Sequence, residues 1–322
     1  MFWRNKKREP PVVACYGKLP ATGDFIRYNA SFPVLSQFDR WMQGSLSLAR
    51  DTLGAAFDGA YRPSVGLFIY RGEDERGEPP SRGLVGVWAA SGDSAGRQYP
   101  MVACAAYDYA ELVATGAALP IAMWPFLTAA YELCTQGRGL GVDEFLGRAA
   151  RLQPPSLEVP EAASAGYRQW LERQPMKGLW ETSFGSVEWR YWVMHLVAAS
   201  VEVFQGQERP NTNLGIRFPL GAGDAYAAAV WMDITTRLAR WRGTLLNAFW
   251  APQRSLVLHM GPPHVGTFRE LIAPSGDTEY ITDLCQAPTV DEHTARSRLG
   301  PRLGALVDGT DATLATFLQA LG

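Results

Sequence analysis

In the first half of the chain the hydrophobic residues fall into short blocks and one long periodic stretch. Residues 12–16 form a brief apolar run that reads as a short buried strand. After Pro33, which suits the first turn of a helix, Val34, Leu35, Phe38, Trp41, Met42, Leu46, Ala49 and Leu53 recur at helical spacing and predict an amphipathic helix. Residues 65–70, 84–90 and 101–106 are rich in branched and aromatic side chains and bounded by Gly and Pro, so they read as three strands of a meander. Between the first two, residues 71–83 are charged and carry Pro79-Pro80, which predicts a long loop in water. Helices are expected over 121–135 and 142–152, and Gln153-Pro154-Pro155-Ser156 then ends the helical pattern.

Beyond that break, 161–174 and 188–204 again show helical spacing; on the second, Trp189, Trp192, Val193, Leu196, Val197, Ser200 and Phe204 share a stripe. Residues 214–218 read as a strand ended by Pro219. Asp224 reads as the N-cap of a helix with Ala227, Val230, Trp231, Ile234, Leu238 and Trp241 on one side. Phe249-Trp250 and residues 255–260 resemble an antiparallel pair around Ala251-Pro252-Gln253-Arg254. There is no internal repeat of fixed period and no low-complexity tract. Strand runs interrupted by long helices predict an α/β fold, a central mixed or mostly antiparallel sheet covered by helices on both faces as a three-layer α/β/α sandwich. The expected organisation is a disordered basic tail at 1–11, an α/β domain at 12–152 and a C-terminal α/β region at 153–322. That region either completes the same sheet or stands as a second domain.

The 322 residues are 47% hydrophobic and 11% aromatic, enough to fill a substantial core. Thirty Lys and Arg against 32 Asp and Glu leave a net charge of -2, so no excess positive field draws the chain to phosphates and nucleic acid is not an expected partner. The basic cluster Arg4, Lys6, Lys7, Arg8 is followed by Glu9-Pro10-Pro11 instead of the apolar segment of a signal peptide. The most apolar stretch, 121–131, is about half the ~20 residues needed to span a bilayer and contains Pro125, so no membrane insertion is expected. Cys15, Cys104, Cys134 and Cys285 are far apart and lie mostly in apolar runs, as free thiols do, which makes the cytoplasm the simplest compartment.

Candidate chemistry is sparse. Gly92-Asp93-Ser94-Ala95-Gly96 satisfies the Gly-x-Ser-x-Gly pattern of a nucleophile elbow, but a strand follows at Met101 where the elbow requires a helix. Gly17-Lys18 lacks the upstream glycine and the Ser or Thr of a phosphate loop. His259, His264, Cys285 and His293 have no recognised zinc-ligand spacing, and His195 on an apolar helix reads as a core histidine without a catalytic partner. No catalytic, cofactor-binding or metal-binding residue is expected.

Three segments carry a resemblance. They are Tyr16-Gly17-Lys18-Leu19-Pro20-Ala21-Thr22-Gly23-Asp24-Phe25-Ile26-Arg27, then Phe38-Asp39-Arg40-Trp41-Met42-Gln43, and Ser91-Gly92-Asp93-Ser94-Ala95-Gly96-Arg97-Gln98-Tyr99-Pro100. In this order they resemble the TagF N-terminal family, also called ImpM-like, of proteins associated with bacterial type VI secretion. The resemblance covers roughly the first hundred residues. It implies a cytoplasmic negative regulator that acts after translation by binding, with the forkhead-associated (FHA) scaffold protein of the secretion system as partner and no cofactor. Lys18, Asp24, Arg27, Asp39, Asp93 and Arg97 are the candidate partner-binding residues, with Arg97 as anchor and the 17–24 turn, the 71–83 loop and the 91–100 turn as contact elements. The same residues have a structural reading: Gly17 and Gly23 take backbone conformations closed to other residues, Pro20 fixes a turn, Asp24 bonds nearby amides and Arg97 pairs with Asp93 or Asp39. Two other functions stay open, a sensor that binds a small ligand in an apolar pocket and an esterase-like hydrolase using Ser94.

Overall fold

In a computed structural model, residues 11–73, 78, 80–157, 161–221, 224–251 and 255–322 are described. The expected tail at 1–11 therefore lies, but for Pro11, outside the described residues, as do 74–77 and 79 of the predicted loop and 252–254 of the predicted strand turn.

The first half runs β1 (Val12–Lys18), β2 (Phe25–Tyr28), α1 (Pro33–Leu53), α2 (Phe57–Tyr61), β3 (Val65–Tyr70), β4 (Arg82–Ala89), β5 (Met101–Asp108), α3 (Tyr109–Thr115), α4 (Leu119–Gln136) and α5 (Val142–Ala149). The second runs α6 (Glu161–Arg173), α7 (Met176–Phe184), α8 (Arg190–Glu202), β6 (Gly215–Pro219), α9 (Asp224–Leu238), β7 (Asn247–Ala251), β8 (Ser255–His259), α10 (Thr267–Ile272), β9 (Ile281–Asp283), α11 (Glu292–Arg298), α12 (Gly300–Asp308) and α13 (Leu314–Leu321). The nine strands form one sheet in the order β2-β1-β5-β4-β3-β7-β8-β6-β9. All neighbouring pairs are antiparallel except β6 with β9. The predicted meander is β3-β4-β5.

Both faces of this sheet are covered, which is why its strands read as nearly continuous apolar runs. The pleat sends alternate residues to opposite sides. Val13, Cys15, Val85, Val87, Ala103 and Ala105 join the core under α4, α8 and α9, whereas Ala14, Tyr16, Trp88, Val102 and Cys104 join the core under α1, α2 and α10. The predicted α/β sandwich is the observed fold. Gly66 makes room on the second face: a Cβ there would lie 2.5 Å from the Trp88 indole.

β3 joins the two halves by pairing with β7, with Leu67 opposite Trp250, Phe68 opposite Phe249 and Ile69 opposite Ala248. α1 reinforces the seam. Phe38 stacks on Phe68 with ring centroids 4.4 Å apart, and Trp41 meets Phe249 at 4.8 Å. Asn247 Oδ1 accepts from the Arg71 amide at 2.8 Å, and Asn247 Nδ2 donates to the Gly261 carbonyl at 2.8 Å.

One expectation needs correction. The apolar helical run is longer than 121–131: the helical stretch Tyr109–Gly139 has 31 residues and holds an 18-residue window of mean hydropathy 1.5, long and apolar enough by length and composition to cross a membrane. In this fold α4 packs on the sheet, burying Met123, Phe126, Leu127, Ala130, Leu133 and Cys134. Pro125 sits inside α4 without ending it.

Candidate functional site

The three motif segments meet at one end of the sheet, where the β1–β2 connection crosses the turn between β4 and β5. Leu19 to Thr22 closes a tight turn, with the Thr22 amide donating to the Leu19 carbonyl at 3.1 Å and Pro20 at the position whose φ proline presets. Gly17 is required by contact as well as by backbone: at φ +144 its missing Cβ would lie 2.2 Å from the Pro100 carbonyl oxygen. This close approach brings β1 against the end of the 91–100 turn.

Asp93 ties the segments together. Its Oδ1 accepts from the amides of Ala95 and Arg97 at 3.1 and 2.8 Å, and its Oδ2 accepts from Lys18 Nζ at 2.5 Å and Arg97 Nε at 2.7 Å. The Lys18 hydrogen bond first, and the Arg97 contacts after it, hold the Asp93 carboxyl well below the usual carboxylate range. Arg97 Nη2 then donates to the Gly23 carbonyl at 2.6 Å, and the Ser94 amide donates to the Thr22 carbonyl at 3.0 Å. Deeper in, Ser91 Oγ donates to the Lys18 carbonyl at 2.7 Å, and Tyr61 both donates to the Ser91 carbonyl and accepts from its amide. The two turns are cross-braced at every level.

A second cluster adjoins the first. Tyr16 donates to Asp39 at 3.1 Å, and Tyr99 donates to the other oxygen of the same carboxylate. Burial, with the Asp39 charge behind it, pushes the Tyr16 phenol up to about 12 and raises Tyr99 further, so both hydroxyls stay protonated donors. Phe25 lies over this pair, stacked on Tyr16 at 5.3 Å and edge-on to Tyr99 at 5.2 Å, with Lys18 Nζ 4.3 Å from its centroid. Arg27 reaches over the other ring, its guanidinium carbon 5.6 Å from the Tyr16 centroid.

The candidate residues thus divide. Lys18 and Asp93 are 5% and 6% exposed. They hold the turns in place and cannot touch a partner without leaving the interior, which departs from the surface role expected of them. Asp39 is half-buried beneath the tyrosines, while Asp24, Arg27 and Arg97 are exposed, the Arg97 side chain at 65%. Asp24 does not bond nearby amides as expected; its own amide donates to Thr22 Oγ1 at 3.2 Å. Arg97 pairs with Asp93, not with Asp39. Missed in the sequence was Phe25, a 36%-exposed aromatic packed on the Tyr16 and Tyr99 rings with the Lys18 ammonium against its face; its place in the first motif, directly after Asp24, was the available signal.

Of the remaining candidates, Ser94 belongs to the braced turn itself and the histidines lie elsewhere. Ser94 is exposed on a strand–turn–strand connection, and its hydroxyl has no hydrogen-bonded base among the described residues. His259 is buried between the Asn213 carbonyl and the Thr267 hydroxyl, and His264 stacks on Tyr280 at 3.9 Å. No group of metal-ligating side chains comes together among the described residues.

Sheet, helical layers and braced turn define a three-layer α/β protein with a rigid, charged and aromatic surface at one sheet end. Residues 14–152, which build that end, match the family described as the TagF N-terminal domain, type VI secretion system-associated. This part of the chain is a TagF N-terminal domain, and the protein is type VI secretion-associated. No curated protein matches the chain significantly. Among solved structures, that of PA0076 from Pseudomonas aeruginosa PAO1 is similar at 17% identity over 83% of this chain and 96% of that one, with a TM-score of 0.49.

Proposed function

We propose that the protein is a post-translational negative regulator of a type VI secretion system, acting in the cytoplasm by stoichiometric binding to the FHA-domain scaffold protein. The observation that carries this reading is that the motif residues of a secretion-associated family build a braced display surface. Phe25, Arg27 and Arg97 stand outward on a base that their buried neighbours immobilise. Aromatic and arginine side chains with little freedom left to lose are the groups that carry most interface energy. A regulator of this kind biases assembly by binding one state of its target more tightly than the other, and it needs neither cofactor nor bond chemistry.

The reading is tested in cells carrying an active secretion system. Excess wild-type protein is expected to silence effector release, and Phe25→Ser together with Arg97→Ala is expected to restore release at equal protein level. Silencing by the double variant as strong as by wild type would remove this surface from the account.

A further inference from the structure

The last turn of α9, the start of α12 and the end of α13, none of which contributes to the braced turn, line a groove of about 260 Å³. Its floor is apolar: Leu238, Leu299, Leu303, Leu306 and Leu321 all line it half-buried. Beside the neutral Gln205, the charged lining is of one sign. Arg237, Arg240 and Arg302 stand at the edge, and no carboxylate lines the groove among the described residues.

The three arginines are not equivalent. Arg237 is occupied, its Nε donating to Asp233 at 2.6 Å and its Nη1 to the carbonyls of Leu318 and Gly322. Arg302 makes a single hydrogen bond, from Nη2 to the Ala320 carbonyl at 3.2 Å. Arg240 is exposed and its guanidinium has no partner among the described residues. Its backbone is also unusual, with φ +55 just past the end of α9. Glycine is the residue that takes this conformation without cost after a helix, as Gly185 does after α7 at φ +72. A bulky side chain held in strained backbone at the lip of an apolar groove is the arrangement of a ligand clamp.

We infer that this groove binds a single-chain anionic amphiphile, a medium-chain carboxylate whose head is held by Arg240 and Arg302 and whose alkyl chain lies on the leucines. The volume is just below the ~300–1,000 Å³ of pockets for drug-sized ligands, which selects a short chain over a two-chain lipid. A guanidinium pair meets a carboxylate with paired, charge-assisted hydrogen bonds, so the head group decides affinity.

The test is calorimetric titration of the full chain with decanoate below its micelle concentration, with decanol as the uncharged control. Saturable 1:1 binding of decanoate is expected, with decanol at least about tenfold weaker. Arg240→Gly separates binding from folding: it relieves the backbone strain, so the melting temperature is expected to hold or rise while decanoate affinity falls at least about tenfold. Arg302→Ala is expected to weaken decanoate in the same direction. Absence of saturable binding, equal affinity for decanol, or full affinity in Arg240→Gly would each overturn the assignment. None of these results depends on the scaffold contact proposed above.

Discussion

Replacing Phe249 by Ala tests whether the two halves of the chain are one cooperative unit. Phe249 is fully buried on β7, in register with Phe68 of β3 and in ring contact with Trp41 of α1. Losing a buried phenyl ring and leaving its cavity costs about 3–5 kcal/mol. At roughly 2.1 cal/mol/K per residue, a chain of 322 residues has an unfolding entropy of about 0.7 kcal/mol/K, so the melting temperature should fall by about 4–7 °C. The decisive assay is native-state hydrogen exchange read by peptide. If the continuous sheet unfolds as a whole, the slowest amides of β1, β4 and β5 must accelerate together with those of β6 and β8, by roughly a hundredfold to a few thousandfold. Acceleration confined to β6, β7 and β8, with β1 and β5 unchanged, would refute the reasoning and make the β3–β7 seam an interface between separately folding units.

Three further outcomes follow from particular residues. Burial pushes the His259 imidazole down to about 4, so the unfolded chain, with a value near 6.5, takes up the proton first; stability is complete above about pH 6.5 and declines by about 3 kcal/mol as pH falls to 4, and urea titrations of His259→Gln should show a flatter acid limb. Arg217 on β6 is buried and bonds Asp283 at 2.7 Å and Glu270 at 2.9 Å, so Arg217→Met takes the shared buried cation from two interior carboxylates and should cost about 3–5 kcal/mol by chemical denaturation, with much of it recovered in Arg217→Met/Glu270→Gln/Asp283→Asn. Gly17→Ala places a methyl group against the Pro100 carbonyl at a φ that alanine resists, and should lower stability by at least about 2 kcal/mol in thermal unfolding, whereas Gly59→Ala, where nothing lies within 4 Å, should not.

Much of the fold was legible because the sheet is buried on both faces and α1 is long. Strands β3, β4, β5, β7 and β8 stand out as apolar blocks, and the stripe on α1 fills several turns. The second strand was not legible: β2 has four residues, only Ile26 of them buried, and its pattern is hidden inside the charged motif. Helices α10, α11, α12 and α13 span six to nine residues, shorter than the window over which helical periodicity can be read. At the site, the motif letters identified the right segments but not their depth. Lys18 at the end of an apolar strand looks exposed until Asp93, 75 positions away, is folded over it. Phe25 has the converse character, an apolar letter that the fold leaves outside. The strained Arg240 has no sequence signal at all, since an arginine after a helix is ordinary and only its φ is not.

The account stands or falls on titration of the purified full chain into the FHA-domain scaffold protein of the same organism. It predicts saturable binding with Kd below about 100 μM, weakened at least about tenfold, or about 1.4 kcal/mol, by Arg97→Ala with unchanged folding. Two folded proteins that show no heat of binding up to that concentration, or an Arg97→Ala variant that binds as tightly as wild type, would contradict it.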